Sequence, residues 1–224
     1  MSVSTANRTS VWTRPERGAR GPVPSLGRAD ITAAAIRIAD AGGLAAVSMR
    51  AVAVALGTAA PSLYRYVESR EDLLDLMVDA AVAELSPAEP TGAWLDDLVA
   101  VARLQLGNMR DHPWLPDALQ RDLSYGPHTM DFFDRCLWML EPVDCPTTSK
   151  LEAVGLMTGI VTLFARATAP QQPFMVAATP EQHPHLFAAL AKAGDAAPRD
   201  PFAQAVRSVL TGLLTAASDS DGVG

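Results

Sequence analysis

Residues 48–73, SMRAVAVALGTAAPSLYRYVESREDL, read as two short helices joined by a tight turn, with a third helix beginning directly after them. Met49, Val52, Ala53 and Leu56 fall at i, i+3, i+4 and i+7, which puts one apolar stripe on a helix. Ser48 stands just before the stripe, where its hydroxyl can accept from a first-turn N–H. Gly57 follows the stripe, where a residue without Cβ turns the chain through the left-handed region without strain. The next helix is predicted to start at Ala60 or Pro61, because proline is tolerated in a first turn whose N–H groups have no helical partner. Leu63 and Val67 then face inward at i and i+4, leaving Ser62, Tyr64, Arg65 and Tyr66 on other faces. Ser69 with Asp72 opens the third helix as a near capping box in which Asp replaces the usual Glu. A short helix with polar and aromatic tips, braced by two others, is how a helix-turn-helix presents a reader to the DNA major groove.

The same residues carry a family resemblance. A helix ending in Gly42-Gly43, then Ser48-Met49-Arg50, Ala53-x-x-Leu56-Gly57, Ser62-Leu63-Tyr64-Arg65-Tyr66-Val67 and Ser69-Arg70-Glu71-Asp72-Leu73-Leu74, resembles the DNA-binding domain of the tetracycline-repressor (TetR) family of bacterial regulators. The resemblance covers roughly residues 27–85 and implies an all-α fold. Its N-terminal three-helix DNA-binding domain would precede a larger helical domain for effector binding and dimerisation. Arg50 matches a family position that reads a base or a phosphate; the plain alternative is a surface arginine paired with Glu68 or Asp72. Ser48, Ser62, Tyr64, Tyr66 and Arg70 join it as expected contacts to backbone and bases, Pro61 as an apolar contact to a thymine methyl, and Arg65 as a phosphate contact. Tyr64 has a second reading, in which its ring braces the helix and only its hydroxyl reaches phosphate. Two positions depart from the pattern. Tyr66 replaces the histidine common in the family, and Ala59 stands where a serine usually caps the reading helix, a loss that typically costs about 1 kcal/mol of helix stability.

Charge distribution supports the same orientation toward DNA. The formal net charge is −7, which by itself is wrong for a DNA binder. Residues 1–70, however, hold nine arginines against four acids, a balance of +5, while residues 71–224 hold nine basic residues against 21 acids, a balance of −12. A basic head on an acidic body directs the head toward phosphates and keeps the body off them.

Along the chain, residues 1–26 read as a flexible basic arm with Arg8, Arg14, Arg17 and Arg20, either solvated or reaching a minor groove. Helices are predicted over 30–41 and from Ser69 to Leu85, the latter linking two domains. Further helices are expected over 94–110, briefly through Leu119, over 127–140, from Thr147 or Thr148 to Thr168, over 185–192 and over 202–216. The expected domains are 27–85 for DNA binding and 86–217 for effector binding and dimerisation, with a disordered tail at 218–224. The order of these helices and the His112-Pro113-Trp114-Leu115 step resemble the C-terminal domain of the tetracycline repressor. No apolar run approaches the roughly 18 to 20 residues of a membrane span, and the N-terminus lacks a secretory apolar region. Cys136 and Cys145 are too few for a disulfide framework or a metal knuckle and read as reduced structural thiols, so the protein is expected to be cytoplasmic with no membrane partner.

Two segments are apolar nearly all round. Leu151, Val154, Thr158, Val161 and Ala165 line one face of 148–168, with Leu156, Ile160, Leu163 and Phe164 on others. Phe202, Val206, Val209 and Leu213 form a stripe on 202–216. Such helices have to be buried nearly all round. One face can meet its own core and the other needs a partner. The resemblance implies a four-helix dimer bundle, for which Leu151, Val154, Thr158, Val161, Phe202, Val206, Val209 and Leu213 are the expected interface, with Gly155 and Gly159 allowing close approach. An interior helix in a monomer is the alternative.

Of the bulky residues in the second domain, Trp94, Met109, Trp114, Phe132, Phe133, Met157 and Phe164 are the expected lining of a cavity for a small hydrophobic or aromatic effector. His112, His128, His183 and His185 are scattered; His183-x-His185 lacks carboxylate or cysteine support for a metal. With no Gly-rich phosphate loop and no G-x-S-x-G, neither catalysis nor a cofactor is expected. The leading expectation is therefore a ligand-responsive dimeric repressor on a palindromic operator. Its rival is a helical small-molecule-binding or enzymatic protein with a vestigial helix-turn-helix.

Overall fold

The structure is a computed structural model that describes residues 10–13, 26–167, 179–193 and 200–216, and every regular element among the described residues is helical. The first is α1 (Arg28–Gly42), whose Ile31, Ala34 and Ala35 are buried. Its entry is fixed by Asp30, whose carboxylate accepts from the Gly27 N–H at 2.8 Å. Gly43 ends it at φ +75°, and a single 3-10 turn over Leu44–Ala46 leads into α2 (Met49–Ala55).

Local chemistry sets both ends of α2. Ser48 Oγ accepts from the Ala51 N–H at 3.1 Å. At the other end the Thr58 N–H reaches Ala53 O and the Gly57 N–H reaches Val54 O, the two bonds of a Schellman motif, with Gly57 at φ +64°. The reading helix α3 (Ala60–Leu63) is only four residues long and continues as a turn through Tyr66. Ala59 provides it with no side-chain cap. Leu63 and Val67 are fully buried beneath it.

The expected linking helix, α4 (Arg70–Ala83), starts at Ser69, whose Oγ accepts from the Asp72 N–H at 3.0 Å. Every residue from Asp72 to Asp79 is buried, so α4 is a central helix with neighbours on nearly all sides. It packs against α1 on one side and against α6 (Leu115–Ala118) and α7 (Pro127–Met139) on the other. Between them in sequence runs α5 (Trp94–Asp111), tied to α4 by Asn108, whose side-chain amide donates to Ala81 O at 3.1 Å. Because α4 is shared in this way, the reading head and α5–α7 belong to one compact unit that ends at Asp144; the expected division at 85/86 does not separate compact units.

The second unit begins at Cys145 and holds α8 (Thr147–Arg166), α9 (Pro184–Ala193) and α10 (Pro201–Ala216). α8 and α10 pack along each other, with Phe164 and Phe202 meeting edge to face at 5.3 Å.

The N-terminal arm departs from its expectation where it is described. Val11 is fully buried, the Trp12 indole N–H donates to Ser124 O at 2.8 Å, and the Ser10 and Ser124 hydroxyls lie 2.7 Å apart. Residues 10–13 are thus anchored on the loop before α7. The arginines at 8, 14, 17 and 20, the 218–224 tail and the Pro-rich stretch after Thr168 lie outside the described residues.

Candidate nucleic-acid interface and the domain behind it

Around the helix-turn-helix, the structure divides the expected DNA contacts into those it leaves at the surface and one it turns inward. Arg50 is exposed on the first turn of α2. Pro61 and Arg65 are exposed, Tyr64 is half exposed, and Ser62 and Tyr66 are half-buried. Arg65 stacks its guanidinium over the Tyr66 ring at 5.8 Å, which holds the cation at the tip of the reading segment. Ser48 is exposed with its hydroxyl engaged as the α2 cap.

Arg70 is the exception. Its Nε donates to Val47 O at 2.9 Å and its Nη2 to Leu44 O at 2.9 Å. The guanidinium thereby gives Val47 O a donor and adds a second one to Leu44 O, which also accepts from the Val47 N–H at 3.3 Å. Arg28 does the same from α1, its Nε donating to Tyr66 O at 3.0 Å. Two of the head's arginines therefore brace the motif from behind, Arg28 at the end of the reading segment and Arg70 at the turn before α2. Nothing in their sequence neighbourhood distinguishes them from surface arginines, because the carbonyls they serve are 23 to 38 residues away.

Behind the head, two side-chain clusters fix α4. In the first, Asp79 reaches from α4 to the start of α7. Its Oδ1 accepts from both the backbone N–H and the hydroxyl of Thr129, each at 2.8 Å, and the His128 N–H approaches Oδ2 at 3.4 Å. α7 has a glycine, Gly126, at its N-cap position, so its cap comes from another helix. Gly126 is needed there. A Cβ at that position would lie 2.4 Å from Asp79 Cγ and 2.5 Å from Trp12 Cζ2.

The second cluster lies at the C-terminal ends of α1, α4 and α5. His112 is buried, with Nδ1 2.8 Å from Asp40 Oδ1 and Nε2 3.1 Å from Glu84 Oε2. The Trp114 indole N–H donates to the same Asp40 oxygen at 2.7 Å. In the sequence His112 is one of four scattered histidines. A usable signal existed in its partners: Asp40 and Glu84 each place a carboxylate at a helix C-terminus, against the preference of the helix dipole.

The expected effector lining is dispersed. Trp114 is fully buried with its N–H engaged by Asp40, and Met109 is buried as well, so both are core residues of the first unit. Phe132 is buried, while Trp94 and Phe133 are half-buried, Phe133 lying between Phe132 at 6.0 Å and Tyr125 at 5.9 Å. Met157, buried, and Phe164, half-buried, belong to the second unit. A cavity of about 190 Å³ opens beside Val82, Leu85, Pro87, His128, Asp131, Phe132 and Arg135; of the expected residues only Phe132 lines it. Cys136 is buried and burial pushes its thiol up to about 12, which keeps it protonated and unreactive. Both cysteines are free.

Most residues of the expected dimer face are covered within the chain itself. Val154, Val161, Phe202 and Val206 are buried within the single chain, as are Leu210 and Leu214. Thr158, Val209 and Leu213 are half-buried, and of the expected set only Leu151 is exposed. The uncovered apolar face of α8 instead runs through Leu156, Gly159 and Leu163, with Gly155 beside it and Leu163 66% exposed. Helices apolar on two faces allow either assignment from sequence, and the chain's own core took the stripe with more β-branched residues.

A three-helix head with an exposed reader, carried on a central helix shared with a helical body, is the arrangement of a helix-turn-helix protein. The profile of bacterial regulatory proteins of the tetR family matches residues 31–77, and that of the tetracyclin repressor-like C-terminal domain matches residues 86–217. The chain belongs to the TetR family. It is 38% identical over 164 residues, 72% of its length, to the HTH-type transcriptional repressor DrrR1 of Streptomyces coeruleorubidus, and it spans 61% of that repressor's length. Among solved structures it resembles ActR of Streptomyces coelicolor in complex with (S)-DNPA (TM-score 0.73, 26% identity, covering 88% of this chain and all of that one). It likewise resembles ActR in complex with actinorhodin (TM-score 0.72, 25% identity, covering 88% and 99%). No helix among the described residues is long and apolar enough to cross a membrane.

Proposed function

We propose that the protein is a cytoplasmic, ligand-responsive repressor that binds a palindromic operator as a homodimer and leaves it when a small hydrophobic or aromatic effector binds. The observation that carries the DNA-binding part is the reader surface. Leu63 and Val67 are fully buried while Arg50, Pro61, Tyr64 and Arg65 stand outward on the same motif, and Arg28 and Arg70 brace it from behind. Arg50 reads a base edge, and Ser48, Ser62, Tyr66 and Arg65 hold the phosphates. The repressor DrrR1 is a relative over most of this chain, and ActR has structures with small molecules bound; both support the same role here.

Dimerisation uses the exposed side of α8, through Leu156, Gly159 and Leu163, with the outer face of α10 beside it. Reading helices in a two-fold dimer must lie about 34 to 36 Å apart to enter successive major grooves, so an effector that tilts α4 releases DNA. Trp94, Phe132 and Phe133 are the aromatic residues that remain available to it. An effector that lowers DNA affinity tenfold needs about 1.4 kcal/mol of coupling, and operator must weaken effector binding by the same factor.

Gel retardation with the DNA upstream of the chain's own gene tests the reading. A retarded band that survives nonspecific competitor and is lost in Arg50→Ala is expected. Binding that competitor removes equally from wild type and variant would overturn it.

A further inference from the structure

We infer that His112 is a positioning residue for DNA binding: as an imidazolium it ties α1 of the reading head and the end of α4 to the α5–α6 corner, and loss of its proton loosens the head. The inference rests on the DNA-binding reading given above.

The argument begins with hydrogen-bond roles. An ionised carboxylate can only accept, and both ring nitrogens of His112 face one, Asp40 at 2.8 Å and Glu84 at 3.1 Å. Both nitrogens must then donate, which requires the charged ring. A neutral ring keeps one bond and turns a lone pair toward the other carboxylate. Asp40 Oδ1 already takes a second donor from Trp114, which keeps it in place and fixes the direction from which the ring is held.

Helix electrostatics point the same way. Asp40 lies in the last turn of α1, Glu84 is the C-terminal cap residue of α4 and His112 that of α5. Three helix C-termini therefore converge, each equivalent to roughly half a negative charge, together with two carboxylates. Among the described residues the cation paired with both carboxylates is His112 once its ring is charged. From α5 itself, Arg110 and Asp111 precede His112 in sequence and are exposed. The ring's pKa is raised above the ordinary histidine value: burial alone would lower it, and the hydrogen bonds and charges of Asp40 and Glu84 outweigh burial. A group whose folded-state pKa is raised gives its full stabilisation below the ordinary value, about 6.5, and loses it as pH climbs through the folded value. The connection is therefore complete in mildly acidic solution and opens as pH rises.

The test follows His112 and DNA together. A ring-resonance titration of His112 in the full chain is paired with affinity for a duplex enriched by the protein from a random library, from pH 6 to 9. A midpoint above 6.5 is expected, with affinity falling about fivefold or more through it, the lower end of ordinary coupling between sites. Glu84→Gln leaves a neutral amide that can donate or accept, so the ring keeps both partners in either charge state and the pH step should flatten. Glu84 is more than half exposed, which favours folding of that variant. A midpoint at or below 6.5, or the same pH step in wild type and Glu84→Gln, overturns the inference. If no duplex is bound even at pH 6, the DNA-binding reading fails separately. Protection of the last-turn amides of α1 against hydrogen exchange then decides: a loss of protection through the His112 midpoint in wild type alone supports the connection, and unchanged protection refutes it.

Discussion

The reading head and the helical body behind it are specified at different distances along the chain. In the head, Ser48 caps α2 three residues on, Ser69 caps α4 three residues on, and Gly57 closes a Schellman motif with carbonyls three to five residues back. In the body, α7 is capped by Asp79 from 50 residues away, Asp40 meets His112 across 72 residues, and Trp12 meets Ser124 across 112. Short-range chemistry makes the head a nearly self-contained motif. Long-range side chains make the body a set of helices whose arrangement depends on a few buried polar contacts.

On that contrast, the largest effects of substitution belong to the body. Val161→Glu places a carboxylate at a fully buried position of α8 with no partner, which costs several kcal/mol and unfolds the chain or its second unit. Leu163→Glu, two residues on at a 66% exposed position, should leave the melting curve of the chain nearly unchanged and convert dimer to monomer. Thermal melts with sedimentation velocity separate the two. A soluble folded monomer from Val161→Glu, with Leu163→Glu still dimeric, would reverse the assignment of faces.

Next in size is the close approach of α4 and α7. Gly126→Ala forces its new Cβ onto Asp79 and the Trp12 ring and should cost about 1 to 3 kcal/mol in chemical denaturation. Removing the ring with Trp12→Ala should relieve only part of that in the double variant, because the Asp79 clash remains. Additive losses would mean that arm and helix do not share the site.

The ease of reading these regions follows the same division. Ser48, Gly57, Leu63, Val67 and Ser69 act through the 3.6-residue period and through caps, so their roles are visible in a single sequence. Arg70 shows the limit within the head: its spacing gives an exposed first-turn arginine, whereas its guanidinium turns back to Leu44 and Val47. Trp114 shows the limit in the body. Its bulk fits a pocket wall as well as a core, and only the presence of Asp40 beside its N–H decides the matter. In α8 both faces are apolar, so periodicity finds the helix without saying which face meets the chain's own core.

Within the head, Arg70 and Arg50 should separate folding from reading. Arg70→Ala removes the guanidinium donor from Val47 O and leaves Leu44 O with the Val47 N–H alone, and is expected to cost about 1 to 3 kcal/mol of stability, with DNA affinity lost through the unfolded head. Arg50→Ala should leave the melt unchanged and cost about 1 to 3 kcal/mol at the cognate site, mostly as base discrimination. Binding isotherms at cognate and random duplexes, beside melts of both proteins, give the answer. Equal melting losses would merge the two roles that the structure keeps apart.

The smallest effect concerns the one weak local signal in the head. Ala59 has the extended backbone of an N-cap residue, φ −89° and ψ 141°, and lacks an acceptor side chain. A serine there ordinarily gains about 1 kcal/mol over alanine. Here the gain should be smaller. Pro61 has no N–H to offer, and the Ser62 N–H already donates to Ala59 O at 2.9 Å, so a new hydroxyl shares a donor rather than rescuing an unpaired one. Ala59→Ser is therefore expected to add about 0.5 kcal/mol, the low end of the capping range, and to raise operator affinity only about twofold by steadying the turn after Leu63. Hydrogen exchange of the Leu63 to Val67 amides is the sensitive readout. A tenfold gain in protection there would show that the missing cap, and not the long-range bracing by Arg28, limits the order of the reading segment.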